Sequence, residues 1–243
     1  RWVDDSVLEI FKEDIARFKV LLSADIDEDS LDMLRRNEVP NLKALRLHNG
    51  TIYRWTRPCY GISEGKPHLR IENRILPSGP SIVDEVANAA FWFGLLSGLS
   101  RVYPDIRRVM EFDTANENFV AAARLGLRAQ FGWPGHHHIP ADELILEELL
   151  PVARDGLKLK GIDPSDVDRY LGILEERVRT KRTGAQWQLD SLAALRDRGN
   201  RGERLGALTG AIIDNQKTGL PVSQWPLASL EHAGGRERHF GQI

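Results

Sequence analysis

The stretch that decides the reading is His48 to Pro80, HNGTIYRWTRPCYGISEGKPHLRIENRILPSGP, and within it His68 to Leu76, HLRIENRIL. Charged or polar residues alternate there with mostly apolar ones, the pattern of a β-strand buried on one face. His68, Arg70, Glu72 and Arg74 then share one face, and Leu69, Ile71 and Ile75 take the other, the expected core side. Same-face neighbours on a strand lie roughly 6.5–7 Å apart, so two guanidinium groups flank one carboxylate in a row. A carboxylate of this kind can hold a hard divalent cation, and arginines beside it can grip phosphate or carboxylate oxygens through paired hydrogen bonds. The same three residues also describe a solvated strand face carrying an ion pair worth roughly 0–1 kcal/mol.

The flanks narrow the choice. LHNGTIYRWTRP reads as a turn at Asn49-Gly50 followed by a strand rich in β-branched and aromatic residues and stopped by Pro58. That strand adds Arg54 and Arg57, on opposite faces if it is regular. LPSGPSIVDEVANAAFWFGLLSGL predicts a Pro/Gly turn and then a helix with Ser81 as N-cap and Asp84 three residues later, a capping-box arrangement. From Ile82 to Leu99 the helix is apolar almost all round and is expected to be buried.

HNGTIYRWTRP followed by PHLRIENRILPSGPSIVDEVANAA resembles the carboxylate-amine ligases of the second glutamate-cysteine ligase family, especially a branch often joined to CBS regulatory domains. The RIENR element is also similar to a metal and phosphate strand of the wider glutamine synthetase superfamily, and RTGAQWQ, Arg182 to Gln188, resembles a late segment of the same ligases. What the resemblance implies is an ATP- and Mg²⁺-dependent, cytoplasmic enzyme of the glutathione-biosynthesis type that joins an amino-acid carboxylate to an amine. It assigns Arg70, Glu72 and Arg74 to the reaction, Glu72 to Mg²⁺, and Arg54, Arg57, His48 and Arg182 to ATP or substrate. The family carries further strands and an acidic Gly-x-Glu-x-Glu-like motif upstream, so the expectation is a helix-rich α+β chain forming the C-terminal part of the ligase over residues 1–225, with an irregular tail over 226–243 and activity only with the N-terminal part.

Composition sets outer bounds. The chain has 243 residues, 42% hydrophobic and 28% charged, with net charge −2, which offers no bulk attraction to nucleic acid or an anionic membrane. No apolar run reads as a bilayer span, and the single cysteine, Cys59, excludes an internal disulfide framework. An apolar stripe of Val7, Leu8, Phe11, Ile15, Phe18 and Leu22 predicts an amphipathic first helix. The acidic run Asp25 to Asp32 lacks the glycine and glutamate of a calcium loop and reads as a helix start. A helix is expected over 115–130 with Phe119, Ala122, Ala123 and Leu127 inward. FGWPGHHHIP reads as a loop, and His136, His137 and His138, being adjacent, are poorly placed to converge on one tetrahedral ion. Helices interrupted near Pro151 and capped by Asp163 follow, then two more before the tail. Only two strands are convincing, and two strands rarely make a stable sheet alone, so an exposed edge leaves a homodimer open. Two other classes compete with the ligase: a non-catalytic module binding a nucleotide or carboxylate, and a helical interaction scaffold.

Overall fold

The computed structural model describes residues 1–232. The chain is α+β and helix-rich, and it divides into two compact units, Arg1–Pro77 and a second beginning at Ser78.

The first unit contains α1 (Leu8–Arg17), α2 (Ser30–Arg35), α3 (Lys43–Thr51) and an antiparallel hairpin of β1 (Thr56–Ser63) and β2 (Lys66–Asn73). Glu64 and Gly65 close the hairpin with positive φ angles of 51° and 73°, as a two-residue turn following the strand twist requires. Asp29 caps α2 by accepting from the amides of Leu31 and Asp32. The Glu28 carboxylate accepts from the amides of Asn41 (3.0 Å) and Leu42 (2.8 Å), which closes the loop leading into α3.

Three expectations for this unit need correction. Asn49-Gly50 is not a turn: both lie in α3, and the strand starts at Thr56 and runs through Pro58. A proline is tolerated because β1 is an edge strand in a sheet of two. The apolar side of β2 is not the packed one, since Leu69 and Ile71 are 54% and 60% exposed. In α1, Leu8 and Ile15 are exposed, and the inward residues are Phe11 and Asp14.

In the second unit α4 (Ile82–Val102) crosses α7 (Leu150–Leu159) at backbone distance. A Cβ on Gly156 would lie 2.0 Å from the Gly94 carbonyl oxygen, and one on Gly98 would lie 2.3 Å from that of Val152. Between these helices run α5 (Phe112–Leu125), a second hairpin of β3 (Gln130–Trp133) and β4 (His136–Pro140), and α6 (Ala141–Leu144). One π-helical turn, Ile145–Leu149, joins α6 to α7, so the break expected near Pro151 is a widened turn that puts the proline in the first turn of α7. α8 (Pro164–Arg179) starts, as predicted, with Asp163 accepting from the Ser165 amide at 2.8 Å. α9 (Gly184–Ala194) and α10 (Arg201–Thr218) pack with residues 222–230 around Trp187 and Trp225, whose rings meet edge to face at 5.3 Å. Packed structure therefore continues past Gly219 and into the first residues of the tail expected from 226. The tail assigned to 226–243 lies outside the described residues from 233 on.

The helix over 115–130 is present but rotated from expectation. Phe119, Ala122 and Ala123 are exposed, and the inward Asn118 side chain pairs with both the amide and the carbonyl of Gly132 (3.0 and 2.8 Å). FGWPGHHHIP is the second hairpin, turning at Pro134-Gly135, where Gly135 has φ 88°. Nor is α4 buried all round: Ile82, Phe93 and Leu96 are exposed. By length and composition α4 is, among the described residues, one helix able to cross a membrane, which corrects the expectation that no apolar run was long enough. Its contacts are those of a bundle helix, packed on α7 and α8.

A buried ion pair fixes the start of α4. Asp84 is fully buried, and its carboxylate accepts from Ser81 Oγ (2.7 Å), Arg177 Nη2 (2.6 Å) and the Val222 amide (2.9 Å), while Arg177 Nη1 donates to Asn88 Oδ1 at 2.6 Å. The Ser81 cap is as predicted, with Oγ accepting from the Asp84 amide at 3.3 Å.

Arg177→Met leaves that carboxylate unpaired and is expected to lower unfolding free energy by about 3–5 kcal/mol in urea denaturation. Gly156→Ala is expected to cost about 1–3 kcal/mol through overpacking. Gly172→Ala, in α8 with no atom within 4 Å of the added methyl, is expected to gain about 0.5–1 kcal/mol. Equal effects of the two glycine changes would contradict the close crossing of α4 and α7.

Candidate functional site

Antiparallel pairing sets Arg57 opposite Glu72, Cys59 opposite Arg70, and Gly61 opposite His68. Since side chains alternate along each strand, His68, Arg70 and Glu72 share a face with Arg57, Cys59 and Gly61. The ladder continues one step, with the Arg74 amide donating to the Trp55 carbonyl at 2.7 Å, which keeps Arg74 on the same row. A Cβ at Gly61 would lie 2.7 Å from Arg70 Nη1 and 2.8 Å from His68 Nε2, so both side-chain ends would have to shift to admit it. Its hydrogen lets both side chains lean across β1.

Glu72 is the centre of the row. Arg57 Nε donates to Glu72 Oε2, Arg74 Nε lies 3.3 Å from the same oxygen, and Cys59 Sγ lies 3.8 Å from it. The Arg57 hydrogen bond, opposed by desolvation and helped by the charges of Arg57 and Arg74, holds the Glu72 carboxyl below the usual glutamate range. Arg57 is buried, and its Nη1 donates to the carbonyls of both Asn49 and, at 3.2 Å, Ile52. Asn49 Nδ2 in turn donates to the Pro58 carbonyl at 2.8 Å. The end of α3 and the hairpin are thus joined through one guanidinium and one amide. This draws Arg57, Cys59 and Glu72 inward, while His68 and Arg70 nearer the turn, and Leu69 and Ile71 on the other face of β2, stay exposed.

The other expected contacts have internal partners. Arg54 lies outside the strand, 2.6 Å from the buried carboxylate of Asp14, with its guanidinium over the Phe18 ring. His48 Nε2 is 3.0 Å from the Phe18 carbonyl. These two residues, with Arg57, hold the first unit together. Arg70 and Arg74 retain the exposed positions, and among the described residues no carboxylate pairs with Arg70.

Arg182 belongs to the second unit. It donates weakly to the Ser223 carbonyl (3.5 Å) and lines a concavity of about 740 Å³ with Arg128, Lys181, Gln186 and Asp190. Lys181 pairs with Asp142 at 3.0 Å. At the second hairpin His136 Nε2 meets Glu148 at 2.5 Å, and the rings of His137 and His138 stack at 4.9 Å. Among the described residues no three histidine, cysteine or carboxylate groups converge as a metal site.

Arg177, nearly buried against Asp84, is not among the residues singled out from the sequence. The signal was there: Arg177 lies three residues after Leu174 and one before Val178, on the inward face of α8. Gly61 could also have been found, as a small residue opposite His68 once the two-residue turn at Glu64-Gly65 was placed.

Glu72→Gln removes the charge that Arg57 and Arg74 face. A carboxylate with a depressed value stabilises the fold above the ordinary glutamate range, and that contribution disappears as pH falls through the depressed value. The difference in urea midpoint between wild type and Glu72→Gln is therefore expected to be largest at neutral pH and to close on acidification. A difference constant with pH would contradict the ion pair.

Comparison with protein-family models, with curated proteins and with solved structures finds no match to this chain.

Proposed function

We propose that the chain is part of an ATP-dependent carboxylate-amine ligase of the glutamate-cysteine ligase type, and that the β2 row is its phosphate-handling element. The observation that carries the proposal is the placement of Arg70, Glu72 and Arg74 on one strand face, with Glu72 locked by Arg57 from the neighbouring strand. In the proposed reaction a substrate carboxylate attacks the γ-phosphorus of ATP, releasing ADP and forming an acyl phosphate. An amine then adds to the acyl carbon, phosphate leaves, and the amine loses a proton to give the amide.

Negative charge spreads over the transferring phosphoryl oxygens, and fixed guanidinium groups stabilise it without reorganising. Arg70, free of a carboxylate partner, is the residue suited to grip those oxygens, with Arg74 beside it. Arg57 is a positioning residue, since it reaches the reaction only by fixing Glu72. The donor set fits Mg²⁺ in part. All three described contacts to Glu72 fall on Oε2, which leaves Oε1 for one of the oxygen positions that Mg²⁺ fills from carboxylate, phosphate and water. Mg²⁺ bound with the nucleotide would supply further charge neutralisation. Arg182 is proposed to contact substrate from the concavity that it lines.

A second reading has its own support. Arg54, Arg57 and His48 all have internal partners, so the row is also suited to binding an anion without turning it over. A regulatory partner of the CBS type belongs to the ligase proposal and rests on the sequence resemblance alone, and a cytoplasmic location is proposed because the single cysteine, Cys59, fits a reducing compartment.

Titration calorimetry with ATP and Mg²⁺, followed by phosphate-release assays and a mass-spectrometric search for new amides across a panel of amino acids and amines, tests the proposal on the ligase unit containing this chain. Arg70→Ala and Arg74→Ala are expected to weaken ATP binding about tenfold each, the scale of a lost charge-assisted contact. Glu72→Gln is expected to abolish turnover. Binding without phosphate release selects the sensor reading, and unchanged ATP affinity in both arginine variants removes the row from any nucleotide site.

A further inference from the structure

The turn between α9 and α10 reads RDRGNRGER, with Arg196, Arg198, Arg201 and Arg204 inside nine residues. Three of them, Arg196, Arg201 and Arg204, line one concavity of about 640 Å³, whose remaining wall is Leu192, Ala193 and Leu205. The lining contains three cations and no carboxylate. Elsewhere in the second unit cations and acids share their surroundings: the concavity beside Arg182 includes Asp190, and Lys181 there is paired with Asp142. The turn also carries two acids: exposed Asp197, which is not part of the lining, and Glu203, whose carboxylate is turned to the cap of α10 and accepts from the Asn200 amide at 2.7 Å. Arg204 is held in place by donating to the Arg196 carbonyl.

Arginine does not relieve crowding by losing its proton, so three guanidinium groups around one hollow repel one another until an anion enters. Guanidinium forks fit phosphate oxygens in pairs, and three of them exceed what a single carboxylate would need. The leucine side of the hollow asks for something else, a body that leaves water readily. Volume is adequate, within the roughly 300–1,000 Å³ of small-molecule sites. A long polyanion is disfavoured, because the chain as a whole is negative and offers no extended basic field.

We propose that this concavity binds a small molecule carrying two or more phosphoryl charges joined to an apolar or aromatic body, of which a nucleoside diphosphate is the simplest example. The site is built wholly from α9, α10 and their turn, and it stands whether or not the β2 row acts in a ligase. As a second nucleotide-type site it would let a phosphorylated metabolite report on the chain without occupying the row.

Equilibrium dialysis of the 243-residue chain with labelled ADP, without Mg²⁺, tests it, with pyrophosphate and adenosine as competitors. Arg196→Ala combined with Arg201→Ala is expected to weaken ADP binding about tenfold or more, with an unchanged melting temperature because both side chains are exposed. In the Arg70→Ala/Arg74→Ala background, where the β2 row no longer contributes, ADP binding is expected to persist and to be lost on adding Arg196→Ala and Arg201→Ala, which separates this site from the ligase proposal. Pyrophosphate and adenosine are each expected to compete more weakly than ADP. The proposal is overturned if the chain does not bind ADP, if the Arg196/Arg201 variant binds as wild type, or if only the Arg70/Arg74 variant loses binding. Pyrophosphate competing as well as ADP would overturn the role given to the leucine wall.

Discussion

Asp84 is a carboxylate with no access to water, and the second unit is arranged so that it does not need any. A serine hydroxyl from the preceding turn, a guanidinium from α8 and a backbone amide from the segment after α10 surround it. Each donor comes from a different part of the chain, so the ion pair is satisfied only when those parts are in register. The apolar packing beneath it is less discriminating, because small residues at the crossing of α4 and α7 allow close approach without dictating which turn meets which. Burial of the pair adds little net stability by itself, but any arrangement that separates its members is strongly disfavoured.

The first unit uses the same device at smaller scale. Arg57 gathers two carbonyls from the end of α3 and the carboxylate of Glu72, and this draws the Arg57–Glu72 end of the hairpin's polar side inward. Alternation in HLRIENRIL told correctly which side chains share a face. It could not tell which face packs, since that depends on a long-range partner. The assumption that leucine and isoleucine point to the core holds on average and fails where a buried arginine has more to satisfy than the apolar side has to cover. The Asn49-Gly50 pair misled for a related reason. Its turn preference is local, whereas Asn49 gains in the helix a hydrogen bond to Pro58 that only the folded unit provides.

Elsewhere the legible parts were those with strong local chemistry: the Ser81 cap, the Asp163-Pro164 start of α8, the helices of the last third. What could not be read were short elements and helix phase. Strands of four and five residues around Pro134-Gly135 are too brief for alternation to show. In α5 the inward anchor is the half-buried Asn118, a residue that hydropathy assigns to the surface, so the predicted inward face was rotated. Of the candidate site, the row on β2 was readable as a pattern. The internal partners of Arg54, Arg57 and His48 were not, because each comes from another element.

The outward side of the β1–β2 hairpin has a practical bearing on how its arginines are studied. Leu69 and Ile71 face solvent on a strand of a two-stranded sheet, and a bare apolar strand at an open edge invites other strands to add to it. Lys66, Arg70 and Arg74 supply the like charge that keeps such edges apart. Neutralising those arginines to probe ligand binding also lowers the barrier to self-association, so light scattering belongs beside every affinity measured on such variants.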